Sequence, residues 1–189
     1  SVAGNYTIDT GGVINGAGGV FFNATTTGKT ISVPTTGANF ASTTFSGSGG
    51  GWTFNSSATT TGNFTITVGT VTAPSGTLYI GGNYSNSGDF TDNGGTVFFN
   101  GSSAQTLLGQ MTGSTDDFAS VTFEGAGTKT FNANASTTAF TINSGSGGVS
   151  APTLLTIAGN YTNNSDFTDG GGTVFFSGTV TLAGQMTGS

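Results

Sequence analysis

Apolar positions in this chain come in short runs that alternate with Thr, Ser and Asn, and Gly, Asn, Ser or Pro bounds each run. The cleanest is Asn63-Phe64-Thr65-Ile66-Thr67-Val68, where Phe64, Ile66 and Val68 share one face. Lys29-Thr30-Ile31-Ser32-Val33 and Thr77-Leu78-Tyr79-Ile80 follow the same rule. Alternation with a period of two predicts strands, and the bounding residues predict turns. No stretch shows the i, i+3, i+4, i+7 spacing of a helix, and the density of Gly and Thr opposes one. The pattern predicts an almost entirely β chain.

The strands recur. Tyr6 in AGNYT is matched by Tyr84 in GGNYS and Tyr161 in AGNYT, and the pair Phe21-Phe22 by Phe98-Phe99 and Phe175-Phe176. The spacing is constant, 98 − 21 = 77 and 175 − 98 = 77. Phe40 and Phe45 answer to Phe118 and Phe123, and Trp52-Thr53-Phe54-Asn55 to Lys129-Thr130-Phe131-Asn132. A fixed period marks a repeat architecture. Within the unit, apolar strands open at Leu78, Thr96, Phe118 and Ala139, which divides it into about four coils. Each coil is too small to bury its own aromatic face, so stacking is required.

The predicted fold is a parallel β-solenoid (β-helix) of about ten coils, roughly 48 Å long at the strand spacing. Tandem β-sandwich-like domains are the alternative, because they too give short alternating strands; they supply no reason for near-identical units without a linker. The predicted organisation is one continuous segment over residues 1–189. It comprises a partial repeat 1–77, a repeat 78–154 and a partial repeat 155–189. Starting and stopping mid-unit predicts a piece of a longer array.

The alternation assigns the inner column to Tyr6, Phe22, Phe45, Phe54, Ile66, Tyr84, Phe99, Phe123, Phe131, Ile142, Tyr161 and Phe176. Neighbouring strand residues point to opposite faces, so the other member of each Phe pair faces out. Phe21, Phe98 and Phe175 then form an evenly spaced row, one per unit, and with Tyr79 are the candidate lateral contacts. A local bulge that buries both rings is the competing reading.

Composition narrows the function. Charged residues are 5% of the chain against roughly a quarter in ordinary soluble domains. With net charge −6 and only Lys29 and Lys129 as cations, nucleic acid is excluded as a partner. Aromatic residues at 11% argue against disorder despite 35 Gly. There is no Cys, hence no disulfide framework, and no apolar run of about 18 residues that would insert in a membrane.

The stretches TGNFTITVGTVTAPSGTL (61–78) and GNYTNNSDFTDGGGTVFFSGT (159–179) resemble the Gly/Thr/Asn-rich tandem repeats of large secreted bacterial surface proteins. The resemblance covers the whole chain. It implies an extracellular β-solenoid acting as a stalk, adhesin or filament, and it carries no shared active site.

Candidate chemistry is sparse. Asp89 and Asp92, repeated as Asp166 and Asp169, are the only candidate metal ligands, for Ca²⁺. Their spacing fits neither the EF-hand nor the calcium β-roll motif, so solvated turn residues are the first reading. No His, no Arg and a single Glu, Glu124, leave no nucleophile–base pair; the chain is not expected to be an enzyme or to hold a cofactor. Lys129, five residues from Glu124, invites a Lys–Asn cross-link, against the plainer reading of a solvent-facing Lys on a strand. Thr ranks suggest ice binding but fall in turns and at differing points of the coils. The expected role is a stiff extracellular or cell-surface spacer or fibre, assembling with itself end to end or side by side. The alternative is an adhesin that binds cell-surface glycans.

Overall fold

The computed structural model describes residues 1–9, 18–34 and 39–186; the predicted Gly11-Gly12 turn lies outside them. Among the described residues there are 23 strands and no helix. Every strand pair is parallel. The chain is a parallel β-solenoid, and tandem antiparallel sandwiches are ruled out. The longest ladder runs through eight strands, from Asn39–Phe40 to Thr173–Phe176. The rod therefore has about eight turns rather than ten, roughly 38 Å at the strand spacing. Ten was too many because a turn takes more residues than the shortest predicted coils.

The turns up to Asp89–Thr91 visit three faces in order, and the one after it carries only Thr96–Phe99 and Gln105–Gly109 before returning to the first sheet. One full turn is Ala58–Thr60, Phe64–Ile66 and Thr70–Thr72; the next is Thr77–Ile80, Tyr84–Asn86 and Asp89–Thr91. The short strands have a local cause. Three or four alternating residues place one or two apolar side chains inside, and Gly or Asn then turns the corner. The corners admit little else. A Cβ on Gly109, at φ +95°, would lie 1.9 Å from the Asn86 carbonyl oxygen of the turn below. Its copy Gly184, at φ +87°, stands the same 1.9 Å from the oxygen of Asn163. Gly serves at these corners for both its backbone freedom and its lack of a side chain.

The interior is a column of rings. Phe22 stacks on Phe45 at 4.9 Å, Phe64 on Tyr84 at 6.1 Å, Phe99 on Phe123 at 5.7 Å and Phe140 on Tyr161 at 5.7 Å, with interplanar angles of 8–15°. Edge-to-face contacts of Phe90 and Phe118 link the Phe64–Tyr84 pair to the Phe99–Phe123 pair across the lumen. Of the residues assigned to the inner column, Phe22, Phe45, Phe54, Ile66, Tyr84, Phe99, Phe123, Phe131, Ile142 and Tyr161 are buried. Tyr6 is half-buried and Phe176 is 38% exposed. Among the described residues both sit on strands that pair on one side only.

The repeat and the turn are out of step. The ladder rises from Leu78 through Val97, Val121 and Phe140 to Tyr161. These turns take 19, 24, 19 and 21 residues, the differences between successive partners. Four turns thus span 161 − 78 = 83 residues, against a unit of 77. The column that starts at Leu78 ends on the copy of Tyr84 rather than on Leu155, the copy of Leu78. Each unit is therefore rotated by one face relative to the one before. The eight-residue strand Ala135–Ile142 accommodates the slip, carrying Leu154–Ile157 on its first half and Tyr161–Asn163 on its second.

Candidate functional site

The inward-facing positions hold two polar clusters as well as rings. The first is built around Lys129. It opens the strand Lys129–Phe131 and aligns with Gln105 below and Val149 above. Its side chain is fully buried. Nζ donates to the carbonyl oxygens of Gly127 at 2.6 Å, Gly125 at 2.8 Å and Gly101 at 3.4 Å, and to that of Glu124. Gln105 is also buried; its Nε2 donates to the Ile80 and Gly82 oxygens, and its Oε1 accepts from Gly101 N. Burial pulls the Lys129 ammonium down to about 8, with the Glu124 carboxylate opposing.

The solvent-facing reading of Lys129 is corrected here. Its counterpart in the preceding unit is Trp52, 1% exposed, and both occupy the same inward register. The turn Glu124–Gly127 folds its carbonyls inward and solvates an ammonium where the earlier unit packs an indole. A buried polar group persists where its hydrogen bonds are made. That alignment was visible in the sequence and was the signal for burial. The Lys–Asn cross-link finds no support in the contacts: Nζ bonds to backbone carbonyls, while Asn143 Nδ2 donates to Glu124 Oε1 at 2.7 Å.

The second cluster was not foreseen. Asn86 is buried; its Nδ2 donates to Gln110 O and Asp116 Oδ1, both at 3.0 Å, and its Oδ1 accepts from Gly88 N at 3.1 Å. Asp116 Oδ1 also accepts from Phe90 N at 2.9 Å. The copy of Asn86, Asn163, repeats the bonds to Gln185 O and from Ser165 N. These asparagines satisfy corner groups that the ladder leaves over. Asp116 comes from the excursion that makes one turn 24 residues long, which only the fold reveals.

Beside Asp116, the Tyr84 hydroxyl is buried without a hydrogen-bond partner. Burial raises its ionisation well above the ordinary phenol range, and the Asp116 carboxylate raises it further; the Asn86 side chain works the other way. An unmet buried hydroxyl costs stability. Tyr84→Phe is expected to stabilise the fold by about 1 kcal/mol, seen as a higher urea midpoint with an unchanged slope.

The candidate calcium residues do not converge. Asp92 Oδ1 accepts from Gly94 N and Asp169 Oδ1 from Gly171 N, each capping its own turn, and Asp89 Oδ2 accepts from Thr70 Oγ1. Asp166 is exposed. Among the described residues no three acidic side chains gather into a ligand set. Two shallow grooves occur at the corners. The larger, about 500 Å³, is lined by residues such as Asn132, Asn134 and Pro152 and has no titratable side chain. The smaller, about 270 Å³, has Asp9 alone.

No protein-family model matches the chain, and no curated protein and no solved structure matches it either.

Outside, the three phenyl rings singled out by the repeat do not form one row. Phe21 (51% exposed) stands in line with Thr44, Thr65, Ser85 and Leu108. Phe98 is half-buried, in line with Thr59, Tyr79, Thr122 and Thr141. Phe175 (54% exposed) lies in line with Thr156 and Ser136. The one-face rotation per unit sends each copy to a different column. The same ladders put Thr30, Thr53, Thr72 and Thr91 in a single outward file, a regularity that their scattered spacing in the sequence conceals.

Proposed function

We propose that this chain is a stiff structural segment, a rod-like spacer or fibre of an extracellular or cell-surface protein, without catalytic activity. The continuous column of contacting rings, clamped by parallel ladders, is the observation that carries the reading. Bending such a rod requires opening backbone hydrogen bonds and separating rings at once, and both resist. The outward surface suits exposure to solvent: Thr, Ser and Asn replace charge, and no thiol is available for oxidation. The two corner grooves hold no nucleophile beside a base. Self-association is part of the proposal: among the described residues, Tyr6–Thr7 and Thr173–Phe176 each pair on one side only, and strands of that kind can take a further partner. The extracellular part of this reading draws on the likeness to the Gly/Thr/Asn-rich repeats of bacterial surface proteins.

Electron microscopy and small-angle scattering of one, two and three copies fused in tandem test this. Straight rods whose length grows in proportion to copy number are expected. Compact particles, or beads joined by flexible linkers, would refute the mechanical role.

A further inference from the structure

We infer that one outer face of the rod is a lateral contact for a second copy of this chain, with the two rods antiparallel. It is the outward side of the eight-stranded sheet over the part from Val20–Phe22 to Gln105–Gly109. Phe21, Thr44, Thr65, Ser85 and Leu108 follow one another there on five successive rungs. The two ends are large and apolar, with Phe21 51% exposed and Leu108 48% exposed. The three between are half-buried hydroxyl residues. Thr65 is the midpoint, with Phe21 two rungs below and Leu108 two rungs above, each about 10 Å away at the strand spacing.

A second file runs beside the first. Asn63 N donates to Ser42 Oγ at 3.2 Å, Asn83 N to Asn63 Oδ1 at 2.9 Å and Thr106 N to Asn83 Oδ1 at 2.8 Å. Each of these accepting side chains is tied to the rung above, so the face keeps one shape. No Lys, Asp or Glu stands on any of the five strands. In a chain of net charge −6, copies repel where carboxylates face each other. On this face two copies meet without that cost.

The spacing is self-complementary. A two-fold axis through Thr65, along the strand direction, sets Phe21 against the partner's Leu108 and Leu108 against the partner's Phe21. Thr44 then faces the partner's Ser85, and Thr65 faces its own copy. Both ends pair one ring with one Leu, so the two faces stay equally far apart along the contact. Parallel rods would set Phe21 on its copy and Leu108 on its copy, two supports of unequal height. The antiparallel contact is isologous and closes as a dimer. Five rungs cover little area, below about 1,200 Å² in total, which makes the contact weak and concentration-dependent. This contact deepens the self-association proposed above, and rests on that reading, by giving it a face, a register and a direction.

Sedimentation velocity and small-angle X-ray scattering of the whole chain, from micromolar to millimolar concentration, test the contact. A reversible dimer is expected, as long as the monomer and thicker in cross-section. Phe21→Lys and Leu108→Glu, each alone, should weaken it at least tenfold, with unchanged melting curves at low concentration. The two substitutions together should restore it to within severalfold, because antiparallel pairing sets each new charge against its opposite. Phe175→Ala, on another face, should leave it unaltered. A monomer at every concentration would overturn the contact. So would a dimer indifferent to both single substitutions, or one that the double substitution fails to restore. A dimer twice as long and no thicker would overturn it too, and would leave end-to-end association standing. A compact rather than rod-like monomer would overturn the mechanical reading, and the contact with it.

Discussion

Phe123→Ala is expected to destabilise the rod by about 3–5 kcal/mol, the range for emptying a large aromatic site in a packed core. Phe123 is fully buried and touches Phe99 (5.7 Å), Phe140 (5.0 Å) and Phe131 (5.7 Å). It therefore joins three consecutive turns of the ring column. Ladders on both sides pin its backbone to Phe99 and Ile142, so the turns cannot close over the cavity. For a chain of this length a fall of roughly 10 °C in melting temperature follows. Phe21→Ala, an outward ring on the same kind of strand, should change stability by no more than about 0.5 kcal/mol. Thermal unfolding of the two variants side by side measures the contrast, and equal losses would mean that the rings do not form one cooperative column.

Lys129 gives the second large effect, with a distinctive pH dependence. Lys129→Ala leaves the Glu124 and Gly127 carbonyls without their donor and opens a cavity. The Gly101 and Gly125 oxygens still accept from Gly127 N and Gly147 N. Two orphaned acceptors and the lost packing are together expected to cost about 3 kcal/mol. In the unaltered chain, burial holds the ammonium at about 8 when folded, against about 10.4 in an unfolded chain. Below pH 8 both states carry the proton and the folded state bears the full cost of the buried charge. Between the two values the unfolded chain binds more protons, so stability rises with pH through this window. The neutral amine keeps two N–H groups, enough for the two carbonyls that depend on it. Above pH 10 the direction reverses, because Tyr6, Tyr84 and Tyr161 ionise later in the folded state than in the unfolded one. Urea denaturation from pH 7 to 9.5 should show the rise in the parent and no rise in Lys129→Met. A parent profile that falls with pH in that window would disprove the caged-ammonium account.

Lys129 is buried where its position in the repeat points inward and its residue type points outward. The sequence aligns Lys129 with Trp52, and Trp52 is plainly a core residue. Residue type weighed more than position, because an isolated charge inside is costly. What offsets that cost is a set of backbone carbonyls gathered by the Glu124–Gly127 turn, and side-chain patterns do not encode where carbonyls point. Asp116 is a parallel case. Its acceptor oxygen meets Asn86 Nδ2 and Phe90 N, groups 30 and 26 residues earlier, which no local reading joins.

The sequence alone determined that the chain is built of short strands and turns in a 77-residue repeat, and it favoured parallel stacking with Phe22 and Phe99 inward over the sandwich and the bulge. Those properties follow from alternation and repetition, which are local or periodic. The tertiary structure decided the phase: how many turns a unit spans, which copies share a column, and hence that Tyr79 meets Phe98 while Phe21 and Phe175 go elsewhere. Phase depends on the summed lengths of successive turns, and a few extra residues in one corner displace every column above it. Register in a solenoid is an accumulated quantity, fixed only when each turn has settled on the one beneath.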